Sequence, residues 1–195
     1  MPSLPDFKLE TYFSKWEFNV KFNMCASDTE AIPMRELLDM ASEEDKKAWE
    51  NLHLGYTETY GSPKLREAIA KTYNSLKSKH ILTFAGAEEG IYVAMKSILK
   101  NKDHAIVINP NYQSSETLPD SICEISGVSL DPKNDWNLDM NEIENAIKSN
   151  TKLISINFPN NPTGKLISRK ELNDLIILAK KNDTYIFSDE IYRLM

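Results

Sequence analysis

From Ile81 to Asp189 the chain alternates short apolar, β-branched runs with stretches in which apolar residues recur every three or four positions. The runs are ILTFAG, HAIVIN, ICEISGV, KLISINF and TYIFSD; AEEGIYVAMKSILKN, LDMNEIENAIKSN and SRKELNDLIILAKKN carry the helical spacing. A strand covered on both faces has no solvent side, so it reads as a continuous apolar run rather than an alternation. Such strands, separated by helix-length crossovers, predict an α/β fold of three layers, a mainly parallel sheet covered by helices. Ser168 and Glu171 form an S-x-x-E capping box, and Asp139 with Glu142 is a weaker version of it. Upstream, SPKLREAIAKTYNSLKSK predicts a helix with Ser62 as N-cap, Pro63 in the first turn, and Leu65, Ile69, Tyr73 and Leu76 on one face. IPMRELLDMA has helical spacing behind Pro33, and SEEDKKAWENLHLGYTETYG reads as a short helix entering a loop. The opening to about Asp28 reads as an irregular N-terminal arm.

Composition narrows the class. A chain of 195 residues with 41% hydrophobic and 27% charged content can form one large or two small domains with a real core. A net charge of -6 and a pI near 5.2 argue against nucleic acid and anionic membrane as partners, since both want a basic face, and favour small molecules. The N-terminus has no apolar h-region and nowhere do 18 apolar residues run together, so the expected location is the cytoplasm. Cys25 and Cys123 lie far apart and are expected as two free thiols. His53, His80 and His104 are scattered outside any zinc spacing, so no metal site is expected. There is no G-x-S-x-G elbow or phosphate-binding P-loop, and GAEEG lacks the G-x-G-x-x-G pattern.

In parallel α/β sheets ligands sit at the carboxyl ends of the strands, where loops lead into helix N-termini. Three such ends carry chemistry. In TFAGAEEGI, Gly86 stands between a run and a helix whose first N–H groups lack intrahelical partners; the turn is an anion site or simply a turn. Glu88 and Glu89 suit the helix dipole but would repel phosphate, so their side chains are expected to point away. In INPNYQSS, Tyr112 either stacks on a planar ligand or is a half-buried loop tyrosine. In TYIFSDEIY, Asp189 either caps the next turn or holds a positive charge on a ligand. Nothing local decides between these alternatives. Between them, NFPNNPTG spends two prolines, two adjacent asparagines and a glycine on one loop.

Taken together and in order, GYTETYGSPKLREAIAKTY, TFAGAEEGI, NPNYQS, NFPNNPTG and SDEIY resemble the fold-type I pyridoxal-phosphate-dependent enzymes of aminotransferase class I/II. The resemblance runs from about Tyr56 to the end. It implies pyridoxal 5'-phosphate as cofactor, with Asp189 pairing with the pyridinium nitrogen and keeping the ring an electron sink. It implies that Asn161 and Tyr192 hydrogen-bond the ring's phenolic oxygen, that Tyr112 stacks on the ring face, and that Gly86, Ala87 and Glu88 form the phosphate turn. Tyr56, five residues before Gly61, matches a tyrosine that reaches the phosphate of a neighbouring subunit, which implies a homodimer with shared active sites. The expected activity is amino transfer between an amino acid and a 2-oxo acid.

The match has departures. The family's Schiff-base lysine lies beyond S-D-E-I-Y, and its carboxylate-binding arginine belongs to a later part of the fold; Lys165, Lys170, Lys180 and Lys181 replace neither. The chain is therefore expected to be the N-terminal half of a longer enzyme and inactive alone, with residues 1–50 as an arm and part of a small domain and residues 51–195 as the N-terminal part of the large cofactor-binding domain. NFPNNPTG carries phenylalanine where many members of the family have N-P-N-N-P-T-G, and GAEEGIY with NYQSSETL is similar to a branch that includes capreomycidine-synthase-like enzymes, so a lyase or replacement enzyme is the alternative, and a non-catalytic module with this fold is a third.

Overall fold

A computed structural model of the protein describes residues 4–27 and 29–195. The elements in chain order are α1 (Lys8–Trp16), α2 (Met34–Asp39), α3 (Glu43–Glu50), α4 (Pro63–Lys71), α5 (Ala87–Ile98), β1 (His104–Asn109), α6 (Gln113–Asp120), β2 (Glu124–Ser129), α7 (Met140–Ala146), β3 (Thr151–Asn157), α8 (Arg169–Lys181) and β4 (Tyr185–Asp189). The four strands form one parallel sheet in the order β2-β1-β3-β4. The chain divides into two compact units, one comprising residues 84–195 with the segment up to Lys8, the other residues 9–83.

In the first unit, successive residues of the central strands feed opposite faces of the sheet, as the pleat requires. Ile106, Ile108, Ile154 and Ile156 join Ile143 of α7 and Leu175, Leu178 and Ala179 of α8 in one core. Ala105 and Leu153 join Ile91 and Met95 of α5 and Leu118 of α6 in the other. Helices thus cover both faces, giving the three layers. The most completely buried strands are the inner ones, β1 and β3, while β2 and β4 at the edges are partly exposed. Among the described residues no helix is long and apolar enough to cross a membrane.

Local signals account for most boundaries. The capping box closes in both directions, with Ser168 Oγ accepting from the Glu171 N–H at 3.1 Å and Glu171 Oε2 accepting from the Ser168 N–H at 2.7 Å. Asp139 caps α7 by accepting from the N–H groups of Asn141 and Glu142. Ser62 caps α4 by accepting from Leu65 N–H.

The structure corrects three expectations. ILTFAG is not a strand: the N–H groups of Ile81 and Thr83 bond to the Ser78 and Tyr60 carbonyls, and that of Ala85 to the Glu89 carboxylate, so an apolar run lacks the ladder partner that would make it one. The α4 helix stops at Lys71, so Tyr73 and Leu76 are not on its face. Finally, α1 and α6 are helices where the sequence reads as irregular arm and loop.

The second unit contains α1 from Leu9 onward together with α2, α3 and α4. Its Gly61 has φ +98°, and a Cβ there would overlap the Thr83 side chain, so this turn requires glycine. Tyr56 is fully exposed rather than packed in the core of its own unit.

Candidate functional site at the carboxyl ends of the strands

The parallel register brings Asn109, Asn157 and Asp189 to the same end of the sheet, each the last residue of its strand. Asn157 is 1% exposed, and its amide is divided between two neighbours. Its Nδ2 donates to the Asp189 carbonyl at 3.2 Å, and its Oδ1 accepts from the Asn161 N–H at 2.7 Å. The Phe158 N–H also donates to the Asp189 carbonyl at 3.2 Å, so the end of β4 is fixed by two bonds from the end of β3.

Asn160, buried in the same loop, acts as a hub. Its Nδ2 donates to the carbonyl of Pro110 at 3.1 Å and of Asn157 at 3.3 Å, while its Oδ1 accepts from both the N–H and the hydroxyl of Thr163. The Pro110 bond ties the loop after β3 to the loop after β1, which carries Tyr112. Gly164, with φ +72°, completes the turn, donating its N–H to the Asn160 carbonyl at 2.8 Å. Polar groups buried at this density must find partners, and the run N-F-P-N-N supplies them from its own amides.

That arrangement presents Asn161 outward. Its Nδ2 donates to Tyr192 Oη at 3.3 Å, so the two residues from different strand ends stand side by side. Asp189 accepts from the Ile191 N–H at 3.1 Å through Oδ1, which makes it a cap for the following turn as well as a half-buried carboxylate. Burial raises its pKa above the usual carboxylate value, Glu190's charge adds to the rise, and the Ile191 N–H opposes it. None of the ion pairs among the described residues involves Asp189.

The phosphate turn predicted at Gly86, Ala87 and Glu88 is the exposed start of α5, with Gly86 as N-cap residue. Glu88 turns aside and accepts from Ser114 Oγ of α6 at 2.8 Å, tying the N-termini of α5 and α6 together. Glu89 instead folds back onto the Ala85 N–H at 2.8 Å, at the rim of the turn. Tyr112 is the N-cap residue of α6 and is half-buried, with its N–H donating to Asn111 Oδ1 at 2.7 Å. Asn111 Nδ2, beside it, is buried with no hydrogen-bond partner among the described residues.

Asp189, Asn161, Tyr192, Tyr112, Gly86, Ala87 and Glu88 therefore all stand at the carboxyl end of the sheet or on the helix starts tied to it. Tyr56 belongs to the other unit. Sequence reasoning missed Asn157 and Asn160, which hold the loop; the available signal was the two amides flanking a proline at a buried strand end.

Known proteins resemble the chain throughout this region. The model of the family "Aminotransferase class I and II" matches residues 20–195. The aspartate aminotransferase of Sulfolobus acidocaldarius is 33% identical over 77% of this chain and 40% of its own length. The kynurenine–oxoglutarate transaminase 1 of Mus musculus is 30% identical over 71% of this chain and 37% of its own. A pyridoxal-phosphate-dependent aminotransferase structure from Streptococcus suis superposes with a TM-score of 0.89 at 28% identity, over 97% of this chain and 52% of that one. The chain thus spans about two fifths of the length of these curated relatives. By the extent of these matches, the chain belongs to the aminotransferase class I and II family.

Proposed function

We propose that the chain supplies the ring-binding part of a pyridoxal-phosphate-dependent aminotransferase acting on an amino acid and a 2-oxo acid. The observation that carries this reading is Asp189, a half-buried carboxylate at a strand end with its pKa raised by burial and no cation paired with it among the described residues. A protonated ring nitrogen is the partner such a group lacks. Beside it, the Asn161 amide and Tyr192 hydroxyl form a polar pair suited to a ring oxygen. The 12-residue helix α5 directs its first N–H groups to the same end of the sheet, and Glu88's carboxylate is held aside by Ser114. These residues fit the cofactor.

When bound, pyridoxal phosphate supplies an electron sink for the carbanion formed at the substrate's Cα. In this reading Asp189 keeps the ring nitrogen protonated, Asn161 and Tyr192 hold the phenolic oxygen, Tyr112 covers a ring face, and the N–H groups at Gly86, Ala87 and Glu88 hold the phosphate. Tyr56, exposed in its own unit, reaches the phosphate of a second subunit in a homodimer. The Schiff-base lysine and the carboxylate-binding arginine come from sequence beyond this chain in the complete cytoplasmic enzyme, and the chain alone is inactive. Residues 1–50 then serve as arm and part of a small domain, and residues 51–195 as the first part of the large domain.

The test uses the complete purified gene product. Adding pyridoxal phosphate should produce an absorbance band near the visible edge, and an amino acid with a 2-oxo acid should exchange their amino and oxo groups. Absence of the band sinks the reading. Release of ammonia without any amino acceptor assigns elimination instead.

A further inference from the structure

Among the described residues before α1, one side chain is not exposed. Phe7 is half-buried, while its neighbours from Leu4 to Asp6 and from Lys8 to Tyr12 are exposed. Its ring lies against Tyr112, with centroids 5.0 Å apart and planes tilted by 51°. That separation falls within the roughly 4.5–7 Å range where offset and edge-on aromatic pairs attract.

A second observation explains why Phe7 stays there. Gln113, the residue after Tyr112, bonds the backbone on both sides of Phe7. Its Oε1 accepts from the Lys8 N–H at 3.0 Å, and its Nε2 donates to the Asp6 carbonyl at 2.9 Å. A single side-chain amide thus pairs with residues 6 and 8 as a neighbouring strand would, which aims residue 7 at Tyr112. The partners are 105 and 107 positions apart in sequence, so this is a tertiary clamp and not a local turn.

We propose that Phe7 is a positioning residue for Tyr112 and that Gln113 is the latch that keeps it there, so that residues 6–8 form a strap walling the cofactor crevice. The inference rests on the reading of Tyr112 as the ring-stacking residue. With Phe7 in place the Tyr112 ring is packed against a second aromatic ring instead of rotating into solvent, which fixes its orientation.

The complete gene product tests this in two arms. In the first, pyridoxal phosphate is titrated by absorbance. Phe7→Ala and Gln113→Ala should each weaken its binding about tenfold, while Phe7→Tyr stays within about twofold of the parent because it keeps the ring. Phe7→Leu, which keeps apolar volume without a ring, should behave like Phe7→Ala; full rescue by leucine, or unchanged binding in both alanine variants, overturns the positioning role. In the second arm the cofactor-free protein is treated with trypsin. Gln113→Ala should speed cleavage after Lys8 about tenfold, because the two bonds that close the strap are gone. An unchanged cleavage rate overturns the latch. If the parent binds no pyridoxal phosphate, the functional reading fails on its own, and the trypsin arm still decides the strap. Thermal midpoints of all variants, expected near the parent's, exclude global unfolding as the cause.

Discussion

At the residue scale, Asp189 separates function from stability. Burial raises its folded-state pKa above the unfolded value near 3.8, so the native state holds the proton more tightly. Stability from this group is then greatest at low pH and declines as pH rises through the folded value. Asp189→Asn keeps an oxygen for the Ile191 N–H and removes the disfavoured charge. Without cofactor, its denaturation midpoint at pH 7 should equal or exceed the parent's. In the loaded enzyme, Asp189→Ala should cost roughly 4 kcal/mol or more of barrier, several orders of magnitude in rate, if the carboxylate sustains the electron sink. A loss of stability without a loss of rate would instead make Asp189 only the cap of its turn. The thiols give a second residue-scale test. Burial raises Cys123 to a pKa of about 11, with Asp103, Asp120 and Glu124 adding to the shift, whereas Cys25 is exposed. A thiol held protonated and covered does not react, so within this chain an aromatic disulfide reagent should titrate Cys25 in the native state and Cys123 only after denaturation.

At the element scale, what the sequence made legible is what is decided locally. Helix α8 was readable because its cap, its first-turn acid and its apolar face all lie within residues 168–181. Ser168→Ala should therefore destabilise by about 1 kcal/mol, read as a lower midpoint in denaturant. Gly164→Ala should cost about 1 kcal/mol more than a substitution at a residue with negative φ, because its φ of +72° disfavours any Cβ. Helix α6 was not legible for the converse reason. QSSETLPD has weak helix formers and an internal proline, and its helix is stabilised by burial of Ser114, Ser115, Leu118 and Pro119 against the sheet unit. ILTFAG failed in the opposite direction, because apolar residues mark a strand only when another strand supplies the ladder. The loop NFPNNPTG announced its turn, but the routes of Asn157 to Asp189 and of Asn160 to Pro110 depend on partners 32 and 50 residues away, which no local pattern encodes.

At the scale of the whole molecule, the three layers were readable because both inner strands carry apolar stretches and are buried almost throughout, but the polar link across the opposite end of the sheet was not. His104, at the start of β1, is fully buried and spans its two neighbouring strands. Nδ1 lies 2.8 Å from Thr151 Oγ1 at the start of β3, and Nε2 lies 2.9 Å from Ser126 Oγ of β2. Thr151 Oγ1 already accepts the Lys148 N–H at 2.7 Å, so its own proton is best donated to Nδ1, which leaves Nε2–H for Ser126. That pattern requires a neutral ring. Burial lowers the His104 pKa, the Lys148 charge lowers it further, and Glu124, itself paired with Lys148 at 2.7 Å, opposes them. Because the folded value lies below the unfolded one near 6.5, the unfolded chain takes up the proton first. The contribution of His104 is therefore complete above about pH 6.5 and is lost progressively as pH falls from there through the folded value, at most about 1.4 kcal/mol per pH unit. Denaturant midpoints at pH 7.5 and 5.5 should show a larger drop for the parent than for His104→Gln, which bonds both hydroxyls without titrating. Equal drops would mean that the acid sensitivity comes from the carboxylates and that the link across β3, β1 and β2 does not depend on a neutral imidazole.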